Sequence, residues 1–135
     1  MNNYRAFLNE AFGYYNLLMG DTQKVYNKLG GKVVFSIGSM AVEKFMVAVL
    51  VAKEKAVNGH SIGYLLTLCK ECFETIPEKI LGLSSLDQRL DLCSFEAVNS
   101  PDFTFEDFQL LQVQLKELKS FVDYEVEKVN SLELK

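Results

Sequence analysis

Tryptophan is absent from this 135-residue chain, histidine occurs once, proline twice and cysteine three times. Arginine is almost missing too, with Arg5 and Arg89 as its only occurrences. Each scarcity excludes something. An odd number of cysteines does not form the paired framework of a small secreted domain. One histidine, His60, leaves no convincing Ser-His-Asp or Cys-His constellation to assemble. Two prolines leave no Pro-rich linker, and no internal repeat or low-complexity run is present. The opening MNNYRAFLNEAF lacks the basic segment, apolar run and small-residue site of a secretory signal. These readings together lead to the expectation of a reducing, cytoplasmic setting.

Hydrophobic residues make up 49% of the chain and charged residues 24%, the balance of a folded protein rather than a disordered one. The length suits one domain, expected to span 1–135. Net charge is −4 and unevenly spread: residues 1–60 carry seven Lys/Arg and four Asp/Glu, residues 61–135 seven and fourteen. That balance argues against a general nucleic-acid binder but permits a local anion site in the first half.

The most unusual stretch is Val33–Ala52, VVFSIGSMAVEKFMVAVLVA, apolar almost throughout with Glu43 and Lys44 in its middle. As a membrane span its ten Val, Ile, Leu and Phe residues would gain about 3–6 kcal/mol, and its two central charges would cost about 5–7. The neighbouring segments are amphipathic and need an apolar partner, which a helix hydrophobic nearly all round supplies. The expectation is a buried central helix over about residues 32–57, stopped by Asn58-Gly59, with no membrane.

Around it the helical period recurs. Tyr4, Phe7, Leu8, Ala11, Phe12, Tyr15 and Leu18 form one stripe, broken by Gly20-Asp21. Thr22–Leu29 makes a short helix ended by Gly30-Gly31. Ile62, Leu65, Leu66, Cys69, Cys72 and Phe73 mark another, capped by Ser61 or Asn58, and Pro77 with Glu78 starts a short one. Ser84 or Ser85 begins a helix carrying Leu86, Leu90 and Cys93, with a loop over Ser94–Pro101. Thr104 caps the last helix, with Asp107 at the capping-box position and Phe108, Leu111, Leu115, Leu118 and Val122 as its apolar stripe. The predicted fold is all-α: an antiparallel up-and-down bundle of about five helices around the central one.

With the helices placed, Ala41-Val42-Glu43-Lys44-Phe45-Met46-Val47-Ala48-Val49-Leu50 resembles the Ala-Ala-Glu-Lys-Ala-Leu-Lys-Ala-Leu-Leu run of the HEPN family (higher eukaryotes and prokaryotes nucleotide-binding domains). Gly59-His60-Ser61-Ile62, followed by Leu65-Leu66, looks like that family's Thr-His-Asp-Leu segment before a Leu-Leu pair. The resemblance implies a helical bundle, often dimeric. Some members partner a small nucleotidyltransferase, and others are metal-independent ribonucleases of toxin systems. The ribonucleases carry an Arg and, within two turns, a His. Here Arg89 is followed by LDLCSFEAV, and His60 lies at a different helix start. The resemblance therefore implies a non-catalytic interaction module and a homodimer. A nucleotide, or a nucleotidyltransferase-type protein in a toxin–antitoxin-type pair, would be its partner. A diverged ribonuclease is the alternative.

Candidate sites follow from residue type. Glu43, Lys44, His60 and Arg89 are the candidate polar residues of a bundle cleft. The plainer reading of Glu43 and Lys44 is two charges reaching different edges of the bundle, each finding its own partner. His60 could serve acid–base chemistry, but its sequence neighbours supply no second group, so a packing role where two helices meet is preferred. Lys24, Lys28 and Lys32 lie four apart and form the best candidate anion or nucleotide site, a solvated face being the plainer reading. Cys69, Cys72, Cys93 and His60 have the composition of a Cys₃His zinc set, which makes a zinc-stabilised domain a further alternative. Cys69 and Cys72 nevertheless fall on an apolar helix stripe, where free cysteine is an ordinary core residue, so no metal or cofactor is expected.

Overall fold

A computed structural model describes residues 3–87 and 103–133. Among these residues the regular structure is entirely helical. The elements are α1 (Tyr4–Leu18), α2 (Thr22–Leu29), α3 (Gly31–Ala52), α4 (Ile62–Cys72), the single turn α5 (Glu78–Leu81), a 3-10 turn (Gly82–Ser84) and α6 (Phe105–Glu133). The chain is thus all-α. Residues 85–87 are again helical, while the rest of the helix expected to carry Leu90 and Cys93, and the loop at Ser94–Pro101, lie outside the described residues.

Local chemistry explains most boundaries. Asp21 caps α2 by accepting from the Lys24 N–H at 2.9 Å, and Ser61 caps α4 by accepting from the Tyr64 N–H at 3.2 Å. The expected capping box opens α6: the Asp107 N–H donates to Thr104 Oγ1 at 3.1 Å, and the Thr104 N–H donates to Asp107 Oδ2 at 2.9 Å. Gly30, at φ 83, separates α2 from α3 in a conformation that costs an L-residue strain.

The central helix ends earlier than expected. It stops at Ala52 rather than near Val57, because the chain turns left-handed at Glu54, with φ 60. The Glu54 N–H donates to the Val51 carbonyl at 2.9 Å and the Lys55 N–H to the Leu50 carbonyl at 2.9 Å. This is the two-bond closure that commonly ends helices at glycine, built here on a glutamate.

The contacts fix directions. Tyr4 hydroxyl and Arg5 reach Asn130 near the end of α6, while the carbonyl of Leu18 accepts from Gln112 Nε2 near the start of α6 at 2.8 Å. α1 and α6 therefore run antiparallel. Gly38 lies beside Leu18, whereas Lys44, later on α3, meets Glu10, earlier on α1, so α1 is antiparallel to α3 as well; Phe45 meets Phe12 and Tyr15 edge-on between them. Gly31 abuts Phe103 and Gly38 abuts Leu111, which makes α3 and α6 parallel. A β-carbon at Gly38 would collide with Leu111 Cδ2, so any other residue here would displace the buried Leu111 side chain. Gln112, only 6% exposed, ties the end of α1 to α6, and it also receives the Thr22 hydroxyl at the start of α2.

α3 is covered by α1, α2, α4 and α6. Phe45, Met46, Ala48 and Leu50 are fully buried on it, and Phe108, Leu111, Leu115, Leu118 and Val122 are buried on α6, Leu111 directly against Gly38. Each large apolar side chain so buried contributes roughly 1.5–3 kcal/mol. By length and composition α3 is one helix able to cross a membrane, yet 67% of its most apolar window is buried inside the protein. Its hydrophobicity is used by neighbouring helices.

Candidate functional site

Glu43 and Lys44 are adjacent on α3, so they leave the helix about 100° apart and meet different neighbours. Lys44 turns to α1, where its Nζ lies 3.3 Å from Glu10 Oε2 and 5.6 Å from the centre of the Phe7 ring. Glu43 turns to the segment before α4, where its Oε2 lies 3.2 Å from His60 Nδ1. Both side chains on α3 are 25% exposed, and at such positions an ion pair contributes at most about 1 kcal/mol.

After Ala52 the chain doubles back along α3, bringing Val57, Asn58, Gly59 and His60 against Val47 and Val51. Tyr64, on the first turn of α4, holds this segment. Its hydroxyl accepts the Asn58 N–H at 3.0 Å, and its ring lies where a β-carbon on Gly59 would be only 2.9 Å away. Asp87 fixes the start of α4 itself by accepting the N–H groups of Ile62 and Gly63 at 3.0 and 2.7 Å. A carboxylate at this position also complements the helix dipole. The open-mouthed cavity between α3 and this segment has a volume of about 350 Å³. Phe7, Val47, Val51 and Val57 give it an apolar interior, and Glu43, Lys44, Asn58 and His60 supply its polar groups. Its size lies at the lower end of small-ligand sites, and a few convergent polar groups over apolar walls is their usual make-up.

The expected cleft residues are therefore partly united. Glu43, Lys44 and His60 line one cavity, while Arg89 lies outside the described residues. His60 does have an aligned second group, Glu43, seventeen positions earlier in the chain. Its ring remains 87% exposed, so it stands at the mouth of the cavity rather than within it.

The basic candidates lie elsewhere. Lys24 and Lys28 are exposed on α2, and Lys32 is exposed in the first turn of α3 beyond the Gly30 break, so no continuous helical stripe joins them. Lys32 stands eleven positions from Glu43, about 16 Å along α3. The cysteines are also remote from His60. Cys69 and Cys72 occupy the last turn of α4 and His60 precedes its first, some 15 Å away. Cys69 is 3% exposed, and burial, helped by neighbouring Cys72, pushes its thiol up to about 12. Redox exchange needs a thiolate, which that shift opposes. Among the described residues no three His, Cys, Asp or Glu side chains gather as a metal-ligand set, and Cys93 lies outside them.

The chain matches no known family model, no curated protein and no solved structure. What fold and site define together is an all-α protein with a polar-mouthed apolar cleft between its central helix and the segment leading into α4.

Proposed function

We propose that this chain is a non-catalytic, HEPN-like helical interaction module that acts as a homodimer and uses the α3–α4 cleft for recognition. The observation that carries the reading is a coincidence of positions. The two segments of the family resemblance are separate in sequence, yet Glu43 and Lys44 of one and Gly59 and His60 of the other line the same cavity. The ligand is a nucleotide, or else the cleft receives a segment of a nucleotidyltransferase-type partner in a toxin–antitoxin-type pair. A base would rest on Val47 and Val51, its edge donating to Glu43 and meeting His60, both within reach of the mouth. One domain over 1–135 and a cytoplasmic location belong to the same reading. So does an up-and-down bundle of about five helices. The antiparallel pairing of α1 with α3 and α6 supports that arrangement. The contacts of α4, from Glu43 at its start to Lys53 at its end, follow the sense of α3 and do not add to it.

Gel filtration with light scattering and calorimetric titration with purine nucleotides test the reading. The expected result is a dimer whose nucleotide affinity falls about tenfold in Glu43→Gln, the scale of one hydrogen bond to a charged group. A strict monomer that binds neither nucleotide nor a nucleotidyltransferase would refute it.

The proximity of Glu43 to His60 favours one second reading, a diverged ribonuclease using this pair for acid–base work. RNA cleavage by the purified protein, lost in His60→Ala or in Arg89→Ala, would establish that reading over the first.

A further inference from the structure

The polar groups of the α3–α4 cleft are Glu43, Lys44, Asn58 and His60, and they are not an even mixture of donors and acceptors. A carboxylate only accepts hydrogen bonds, and its two oxygens can take two neighbouring N–H groups at once. His60 Nδ1 lies 3.2 Å from Glu43 Oε2, so in a neutral ring Nδ1 carries the proton and Nε2 is left as an acceptor. The Glu43–His60 pair therefore offers a ligand acceptors alone. Lys44 is the opposite. Its ammonium group has three N–H donors and no acceptor, and the ion pair with Glu10 Oε2 at 3.3 Å uses only one of them. The Asn58 N–H is committed to the Tyr64 hydroxyl, and its side-chain amide, with a donor end and an acceptor end, favours neither kind of ligand.

Glu43 and Lys44 leave α3 about 100° apart, so they meet a ligand at two separate points along its edge. The matching edge has two adjacent donors for Glu43 and, beside them, one acceptor for Lys44. It belongs on a flat apolar body that Val47 and Val51 support. Nucleobases differ in this respect. Guanine presents N1–H and N2–H together, next to its O6 acceptor. Adenine has one amino group beside an acceptor, cytosine one amino group beside two acceptors, and uracil one N–H between two carbonyls. We infer that the cleft selects guanine, with N1–H and N2–H donating to Glu43 and O6 accepting from Lys44. This rests on the reading of the cleft as a nucleotide site and names the base it takes. Selectivity comes from the rejected bases: one that lacks the second donor leaves an acceptor of half-buried Glu43 unpaired. A guanidinium also carries paired donors. It has no acceptor for Lys44, however, and brings a second cation beside it, so an arginine from a protein partner is the poorer match.

The test compares guanosine, inosine and adenosine 5′-monophosphates, which carry the same phosphate and differ only in the base. Each is titrated into the full chain at about pH 8, followed by calorimetry and by backbone amide shifts. The guanine nucleotide should bind about tenfold more tightly than the inosine nucleotide, which lacks only the N2 amino group, and than the adenine nucleotide. In Glu43→Gln the gap between guanine and inosine should narrow to about threefold, the scale of a neutral hydrogen bond. Lys44→Met should weaken both equally, since both carry O6. The three nucleotides on the unaltered chain test the inference without any variant, and circular dichroism verifies that the variants fold. Nucleotides that shift the cleft amides with affinities within about twofold of one another would overturn guanine selection and leave the nucleotide reading of the cleft standing. Methylguanidinium displacing guanosine 5′-monophosphate at matched concentration would overturn it in favour of an arginine-bearing partner. Binding of none of the three nucleotides would overturn both the inference and the reading it rests on.

Discussion

Glu54 is the described non-glycine residue with positive φ, at 60°. A side chain in that region costs roughly 1–2 kcal/mol, tolerated here because the closing hydrogen bonds of α3 require the turn. Glu54→Gly is therefore expected to stabilise the fold by about 0.5–1 kcal/mol, part of the relief being offset by the flexibility glycine adds to the unfolded chain. An upward shift of the urea midpoint would verify this. Cys69 gives a pH-dependent counterpart. Its thiol titrates at about 12 in the fold against 9.0 as the reference for an unperturbed thiol, so the folded state holds the proton over that interval and the unfolded chain loses it. Its stabilising contribution is full below pH 9 and declines as pH rises towards 12. Comparing urea midpoints at pH 8 and pH 10, Cys69→Ala should lose less stability than the parent, by about 1 kcal/mol. Equal losses would show that Cys69 does not govern this part of the curve.

At the scale of elements, glycine separates packing from propensity. Gly38 of α3 sits against Leu111 and Leu18, whereas Gly13 of α1 has nothing within 4 Å of where a β-carbon would stand. Gly38→Ala should destabilise by about 1–3 kcal/mol through overpacking. Gly13→Ala should stabilise by about 0.5–1 kcal/mol, because alanine is the better helix former at an open position. Thermal denaturation of the two variants should shift in opposite directions. The elements themselves were largely legible. The stripes of α1 and α6, the Gly20-Asp21 and Gly30 breaks, the Ser61 cap and the Thr104–Asp107 box all follow from local periodicity and capping chemistry. The end of α3 was not legible, because the left-handed turn falls on a glutamate and carries no glycine signal. Nor was the capping of α4 by Asp87, which reaches from 24 and 25 positions away and depends on tertiary placement.

Over the whole molecule, one helix organises the rest. α3 is hydrophobic nearly all round because four other helices cover it, and its two charges are held where that cover ends, one by α1 and one by the approach to α4. Glu43, Lys44 and His60 could be singled out in the sequence by residue type. Their meeting could not, because it depends on the chain doubling back after Ala52 and on Tyr64 gripping Asn58 and Gly59. The basic residues show the converse: the spacing of Lys24, Lys28 and Lys32 is helical, but Gly30 ends the helix between them, so they do not form one continuous stripe. The central claim is that the α3–α4 cleft recognises a ligand. Its most direct test is a purine-nucleotide titration followed by backbone amide shifts in the isotopically labelled protein. The account predicts saturable shifts concentrated at Glu43, Val47, Asn58, Gly59 and His60, reduced in Glu43→Gln. Saturable shifts confined to other surfaces, or none at millimolar nucleotide from a strictly monomeric protein, would contradict it.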